Sequence, residues 1–256
     1  LDEKILLRSD GTSVYITQDL GTAVKRHEEW NAKQMIYVVG NEQNYHFQVL
    51  KQTLLKVGYD FANEIVHMSY GMVELPDGKM KSREGKVVDA DDLMEDMFLT
   101  ASQIAEEAGK AVLLPEEQKK KVLEIIAQGA LKYFILKVDA KKNMLFNPAE
   151  SIDFNGNTGP FIQYTHARIN SLLKKVADTN IEILDFQDIS LHSQEKRIIQ
   201  VLFNYPAIIE DSAKDLNPSI ICQYVYDLAK EYNTFYQALP VIRAESEAYK
   251  KLRIMI

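Results

Sequence analysis

Two hydrophobic periodicities divide the chain. Up to about residue 90, short β-branched and aromatic runs alternate with amphipathic stretches of helical length. Val14-Tyr15-Ile16-Thr17 reads as a strand. Asp19-Leu20-Gly21-Thr22-Ala23-Val24-Lys25-Arg26 then opens an amphipathic helix, with Asp19 at the end where the helix dipole favours negative charge. Met35-Ile36-Tyr37-Val38-Val39 is a second, buried strand ending at Gly40, and a helix over about Gln43 to Val57 puts Phe47, Leu50 and Leu54 on one face. Glu64-Ile65-Val66-His67-Met68 is a third strand. Strands spaced by helices of this length imply parallel pairing through right-handed crossovers, as in half of a doubly wound nucleotide-binding sheet.

Beyond a turn-rich loop at residues 72–88 the strand signals nearly vanish. Helical patterns cover Asp89 to Gly109, Pro115 to Lys137, Gly159 to Val176, Ser193 to Leu216 and Ser219 to Leu239. Pro115 and Pro218 suit helix starts, where a missing N–H costs nothing. The expected fold class is therefore α/β followed by all-α, with domains at residues 1–149 and 150–256. No internal repeat or low-complexity tract interrupts this order.

Composition narrows the function classes. Hydrophobic residues at 46% and charged residues at 26% are ordinary for a globular protein. No apolar run approaches the roughly 20 residues that span a bilayer, and the charged start Leu1-Asp2-Glu3-Lys4 does not resemble a signal peptide. A membrane partner is not expected. Cys222 is the single cysteine, so no internal disulfide is available and a cytoplasmic location fits; its apolar neighbours Ile220 and Ile221 make it core. A net charge of −7 argues against a nonspecific nucleic-acid coat but allows a local basic surface for one RNA. Cations cluster at Lys79, Lys81, Arg83 and Lys86, at Lys119-Lys120-Lys121, and at Lys137, Lys141 and Lys142. Each cluster alone reads as a solvated face. The start at Leu1 and the apolar helical finish at Ile254-Met255-Ile256 suggest part of a longer chain.

Three segments carry candidate chemistry. The first runs from Tyr15-Ile16-Thr17-Gln18-Asp19-Leu20-Gly21 to Tyr37-Val38-Val39-Gly40-Asn41-Glu42-Gln43-Asn44-Tyr45-His46-Phe47. The second comprises Gly71-Met72-Val73 and Asp77-Gly78-Lys79-Met80-Lys81-Ser82-Arg83-Glu84-Gly85. The third is Gly156-Asn157-Thr158-Gly159-Pro160-Phe161-Ile162-Gln163-Tyr164-Thr165-His166-Ala167-Arg168-Ile169. Parallel sheets bind ligands at the carboxyl ends of their strands. A carboxylate there takes a guanidinium through two parallel hydrogen bonds, and a tyrosine offers it an aromatic face. Asp19 as a helix cap and Gln43 as a first-turn residue are the structural alternatives. Thr158 and Pro160 are helix-start residues, and Tyr164 and Arg168 then share a face at i and i+4. An aromatic ring beside a guanidinium suits an unstacked base and its phosphate; packing against a neighbouring helix is the alternative.

In order and spacing, these segments resemble arginyl-tRNA synthetases, class I enzymes that join arginine to tRNA using ATP. The resemblance implies the C-terminal half of a Rossmann-like catalytic domain followed by a helical-bundle anticodon-binding domain. It implies L-arginine, arginine-specific tRNA, ATP and the Mg²⁺ that accompanies ATP as partners, and neither DNA nor a dedicated metal site. By resemblance, Tyr15, Asp19 and Gln43 line the arginine pocket. His46, Gly71, Met72, Val73, Met80 and Ser82 lie along ATP; Lys79, Lys81 and Arg83 form the catalytic signature loop; and Tyr164, Arg168 and Tyr236 face tRNA. Ser82 departs from the usual second lysine of that loop. The class signature His-x-Gly-His is absent: none of His27, His46, His67, His166 or His192 sits in it. This sequence is then expected to be inactive alone. A noncatalytic RNA-binding module and another nucleotidyl-transferring α/β enzyme are the competing readings.

Overall fold

Helix α1, Tyr15–Trp30, begins where a strand was expected. The β propensity of Tyr15-Ile16-Thr17 yields to a longer helical stripe: Ile16, Leu20, Ala23 and Val24 recur on one face and pack into a single core. This computed structural model describes residues 3–74, 89–107, 115–179 and 189–256. Residues Leu1–Val73 with Ala140–Met144 form one compact unit, and Glu74–Asp139 with Leu145–Ile256 form a second.

In the first unit, strand β1 (Met35–Gly40) leads through a single 3-10 turn, Asn41–Gln43, into α2 (Asn44–Val57). Strand β2 (Ile65–Tyr70) pairs parallel to β1, with Tyr37 opposite His67. Two parallel strands, not three, form the described sheet. α2 stops at Gly58, whose φ of 99° lets the N–H turn back onto the Leu54 and Leu55 carbonyls. Ala23 of α1, Phe47, Leu50 and Leu54 of α2, and Ile65 of β2 make the core. The opposite face of β1 leaves Ile36 and Val38 exposed.

The chain passes between the units within two short strands, β3 (Val73–Glu74) and β4 (Met144–Leu145). The second unit is helical: α3 (Ala90–Glu107), α4 (Glu116–Leu136), the one-turn α5 (Pro148–Ser151), α6 (Gly159–Lys175), α7 (Ser193–Phe203), α8 (Tyr205–Asp215), α9 (Ser219–Ala238) and α10 (Glu247–Met255). α3 packs on α4, α4 on α6, and α9 receives α6, α7 and α8. Leu172, Ile198, Tyr232, Phe235, Leu239 and Val241 form one of its cores. The single helix expected over 193–216 is two, parted at Asn204, because Pro206 has no N–H to donate to the carbonyl four residues back.

Candidate functional site

Because α1 starts at Tyr15, Tyr15 and Asp19 do not flank a strand-to-helix turn; they sit one turn apart on one helix face. The first turn of α1 holds no acidic residue, so Asp19 is not a helix cap. Tyr15 is 83% exposed. Asp19 Oδ2 instead accepts a hydrogen bond from His46 Nε2 at 2.6 Å. A carboxylate only accepts, so the proton of that bond resides on Nε2. His46 lies in the first turn of α2, which places Asp19 beside the carboxyl end of β1. Gln43 closes the 3-10 turn there; it is exposed, and its side chain makes no capping bond to α2.

The His46 ring is anchored from behind. It meets Phe47 edge-on, at 5.5 Å and 85°. Phe47 is buried, stacks on His67 at 4.2 Å and tilts against Tyr37 at 5.0 Å. His67 Nε2 in turn bonds the Val39 carbonyl at 3.0 Å.

Gly71 is required by close packing within this unit: a Cβ there would lie 2.3 Å from the Lys142 carbonyl oxygen. Gly71 N–H donates to Ala140 O at 2.6 Å, Met72 N–H to Asn143 Oδ1 at 2.8 Å, and Met72 O accepts from Met144 N–H at 2.9 Å. The amide donors of Gly71 and Met72 are thus engaged inside the unit, and Met72 presents a partly exposed side chain. Lys79, Met80, Lys81, Ser82 and Arg83 lie outside the described residues.

In the helical unit, Thr158 caps α6, its hydroxyl accepting from Phe161 N–H, with Pro160 in the first turn. The fold brings Tyr164, Arg168 and Tyr236 together. The Arg168 guanidinium lies 4.8 Å from the Tyr164 ring centroid and 5.5 Å from that of Tyr236. It donates to Tyr164 Oη at 3.2 Å and, through Nη1, to Asn233 Oδ1. Asn233 Nδ2 donates to Thr165 Oγ1 at 2.8 Å and to Ala229 O at 2.9 Å, which fixes the amide with its oxygen toward Arg168. Tyr164 and Tyr236 are 49% and 37% exposed, leaving open ring surface beside a held cation. Sequence reasoning missed Asn233. Its signal was a polar residue within the Ala229-Tyr232-Phe235-Tyr236 stripe of α9.

One further cation serves structure. Lys137 Nζ donates to Asn157 O at 2.9 Å and sits 4.3 Å from the Phe134 ring centroid; burial lowers its pKa, and Glu150 partly opposes that. Tyr133 Oη donates to Asn157 Oδ1 at 2.5 Å, and burial raises its pKa. Both hold the loop that precedes α6. Among the described residues, no three of His, Cys, Asp and Glu converge as a metal cage.

Residues 2–148 match the catalytic domain of the class I tRNA synthetases (R), and residues 162–256 match the DALR anticodon binding domain. An arginine–tRNA ligase from Phocaeicola vulgatus is 56% identical over the full length of this chain, and one from Porphyromonas gingivalis (strain W83) is 53% identical. The chain spans 43% of the length of each of these curated relatives. Among solved structures, an arginyl-tRNA synthetase from Thermus thermophilus matches with a TM-score of 0.84 at 25% identity, over 98% of this chain and 47% of that one. The Plasmodium falciparum arginyl-tRNA synthetase shares the fold, with a TM-score of 0.75 at 22% identity over 98% of this chain and 42% of its own.

Proposed function

Since the chain belongs to the class I arginyl-tRNA synthetase family, we propose that the protein carrying it ligates L-arginine to its cognate tRNA through arginyl-adenylate. The observation that carries this reading is Asp19: a carboxylate that caps no helix, held beside the carboxyl end of a parallel strand by His46. Tyr15 on the same helix face and Gln43 after β1 complete a polar set suited to a guanidinium, with the tyrosine ring as its aromatic wall.

The chemistry needs no covalent enzyme intermediate. An oxygen of the arginine carboxylate attacks the α-phosphorus of ATP, the bond to the bridging oxygen breaks, and pyrophosphate leaves. A terminal ribose hydroxyl of tRNA then attacks the adenylate carbonyl and AMP departs. Catalysis is positioning plus cations that stabilise developing phosphate charge, a role assigned here to Lys79, Lys81 and Arg83. Gly71, Met72, Val73, Met80 and Ser82 are assigned to ATP. With the Gly71 and Met72 amides already engaged, the Met72 side chain would offer adenine apolar contact. Mg²⁺ is assigned to accompany ATP, where it would neutralise charge on the phosphates.

The proposed domains are residues 1–149, the catalytic part with its signature loop and stem-contact helices, and 150–256, which binds the anticodon through Tyr164, Arg168 and Tyr236. Among the described residues, no helix is long and apolar enough to cross a membrane, and a cytoplasmic location is proposed. In the complete enzyme, Asp19→Asn should raise the KM for arginine with little effect on ATP. Asp19's side chain is 47% exposed, so the low end of the usual cost of breaking a charged pair applies, about 2 kcal/mol or roughly thirtyfold. Steady-state kinetics with each substrate varied separately check this; an unchanged KM for arginine would overturn the pocket.

A further inference from the structure

We infer that His46 is a positioning residue for the amino-acid pocket: it orients the Asp19 carboxylate toward the substrate guanidinium, rather than contacting ATP as the sequence resemblance implies. This rests on the assignment of Asp19 to arginine made above.

A fork of two parallel hydrogen bonds forms only when the carboxylate plane faces the guanidinium plane. Asp19 projects from a helix face with its side chain 47% exposed, so its own packing does not fix that plane. The bond from His46 Nε2 does, at 2.6 Å to Oδ2. It occupies one of about four lone-pair sites on the carboxylate, leaving Oδ1 and a second site on Oδ2 for two guanidinium N–H groups.

The anchor extends to the sheet. Tyr37 and His67 face each other in the parallel register of β1 and β2, and both contact Phe47. Phe47 sets the edge-on neighbour of His46, and His46 sets Asp19. Strand register is thereby transmitted through two rings to the carboxylate that reads the side chain.

The test uses the complete enzyme with arginine and ATP varied separately. His46→Ala should raise the KM for arginine roughly tenfold, the scale of one hydrogen bond to a charged group. The KM for ATP should stay within about twofold, a fraction of that free energy. His46→Gln, whose terminal amide can place a donor near the position of Nε2, should recover most of the loss. In an Asp19→Asn background, His46→Ala should add little, because the two act through one contact. Circular dichroism checks that each variant is folded; if His46→Ala is not, His46→Asn, too short to reach Asp19, replaces it. An equal rise in both KM values would place His46 at ATP and overturn the inference, as would failure of His46→Gln to rescue. If Asp19→Asn is defective for arginine but His46→Ala is not, the inference alone fails. If Asp19→Asn leaves arginine unaffected, the pocket assignment fails with it.

Discussion

Arg253 enters the interior of the helical unit with its charge intact. Nε donates to Glu195 Oε1 at 2.7 Å, Nη1 to Pro240 O at 2.9 Å, and Nη2 to Glu245 Oε1 at 3.0 Å. Glu195 is fully buried, and its other oxygen accepts the His192 N–H at 2.7 Å in a capping box that starts α7. Burial works against the Arg253 charge, but the hydrogen bonds to Glu245 and Glu195 more than offset it, and its pKa is raised. Removing the buried carboxylate leaves Arg253 with the exposed Glu245 as its counter-charge, so Glu195→Gln should destabilise the unit by less than the about 3–5 kcal/mol of a wholly unpaired buried charge, read by urea denaturation. Glu245 is solvent-exposed, and the Arg253 hydrogen bond holds its pKa below the usual carboxylate value. A lowered native pKa means stability present above the unfolded glutamate value of about 4.3 and lost as pH falls through the native one. Thermal melts across that window should show a slope that Glu245→Gln reduces. At the proposed RNA face, Tyr164→Ala should weaken anticodon stem-loop binding by about 1–3 kcal/mol, the worth of one stacked base. Arg168→Ala should in addition reduce the salt dependence of binding if its cation meets phosphate. A titration at several salt concentrations decides; two folded variants that bind like wild type at every salt would make this cluster structural.

Helices α4 and α6 approach closely enough that their glycines matter. A Cβ on Gly159 would lie 2.4 Å from the Gly129 carbonyl oxygen, which is backbone and cannot swing away. A Cβ on Gly129 would lie 2.2 Å from Gln163 Nε2, a side chain that can move by giving up its bond to Ile125 O. Gly159→Ala should therefore cost more than Gly129→Ala, with about 1–3 kcal/mol for the former as an overpacking penalty, measured as shifts in the denaturation midpoint. Helix starts were legible in sequence because caps act locally: Thr158 with Pro160 marks the start of α6, and α4 follows Pro115. The stretch at 14–17 was misread because local β propensity is weak beside a helical stripe that fills a core.

For the molecule as a whole, two paired parallel strands carry the candidate arginine pocket, and one of them leaves Ile36 and Val38 exposed on alternate positions. Parallel sheets ordinarily bury both faces. This sequence also lacks the His-x-Gly-His pattern. The 256-residue chain alone is therefore expected not to catalyse arginine-dependent exchange of pyrophosphate into ATP, and exchange above background by the purified chain would refute this.

The sequence by itself determined the order of the architecture, α/β and then helical, and the family. Hydrophobic period and helix-start chemistry are local, and the motif segments are contiguous. It also put Tyr164 and Arg168 on one face, because their spacing is a helical turn. What only the tertiary structure decided are contacts between residues far apart in the chain. Asp19 meets His46 across 27 positions, Arg168 meets Asn233 across 65, and Glu195 meets Arg253 across 58. No local pattern encodes such pairs. They form when burying apolar faces brings α1 to α2, α6 to α9, and α10 to the start of α7, and the polar groups carried along must find partners there.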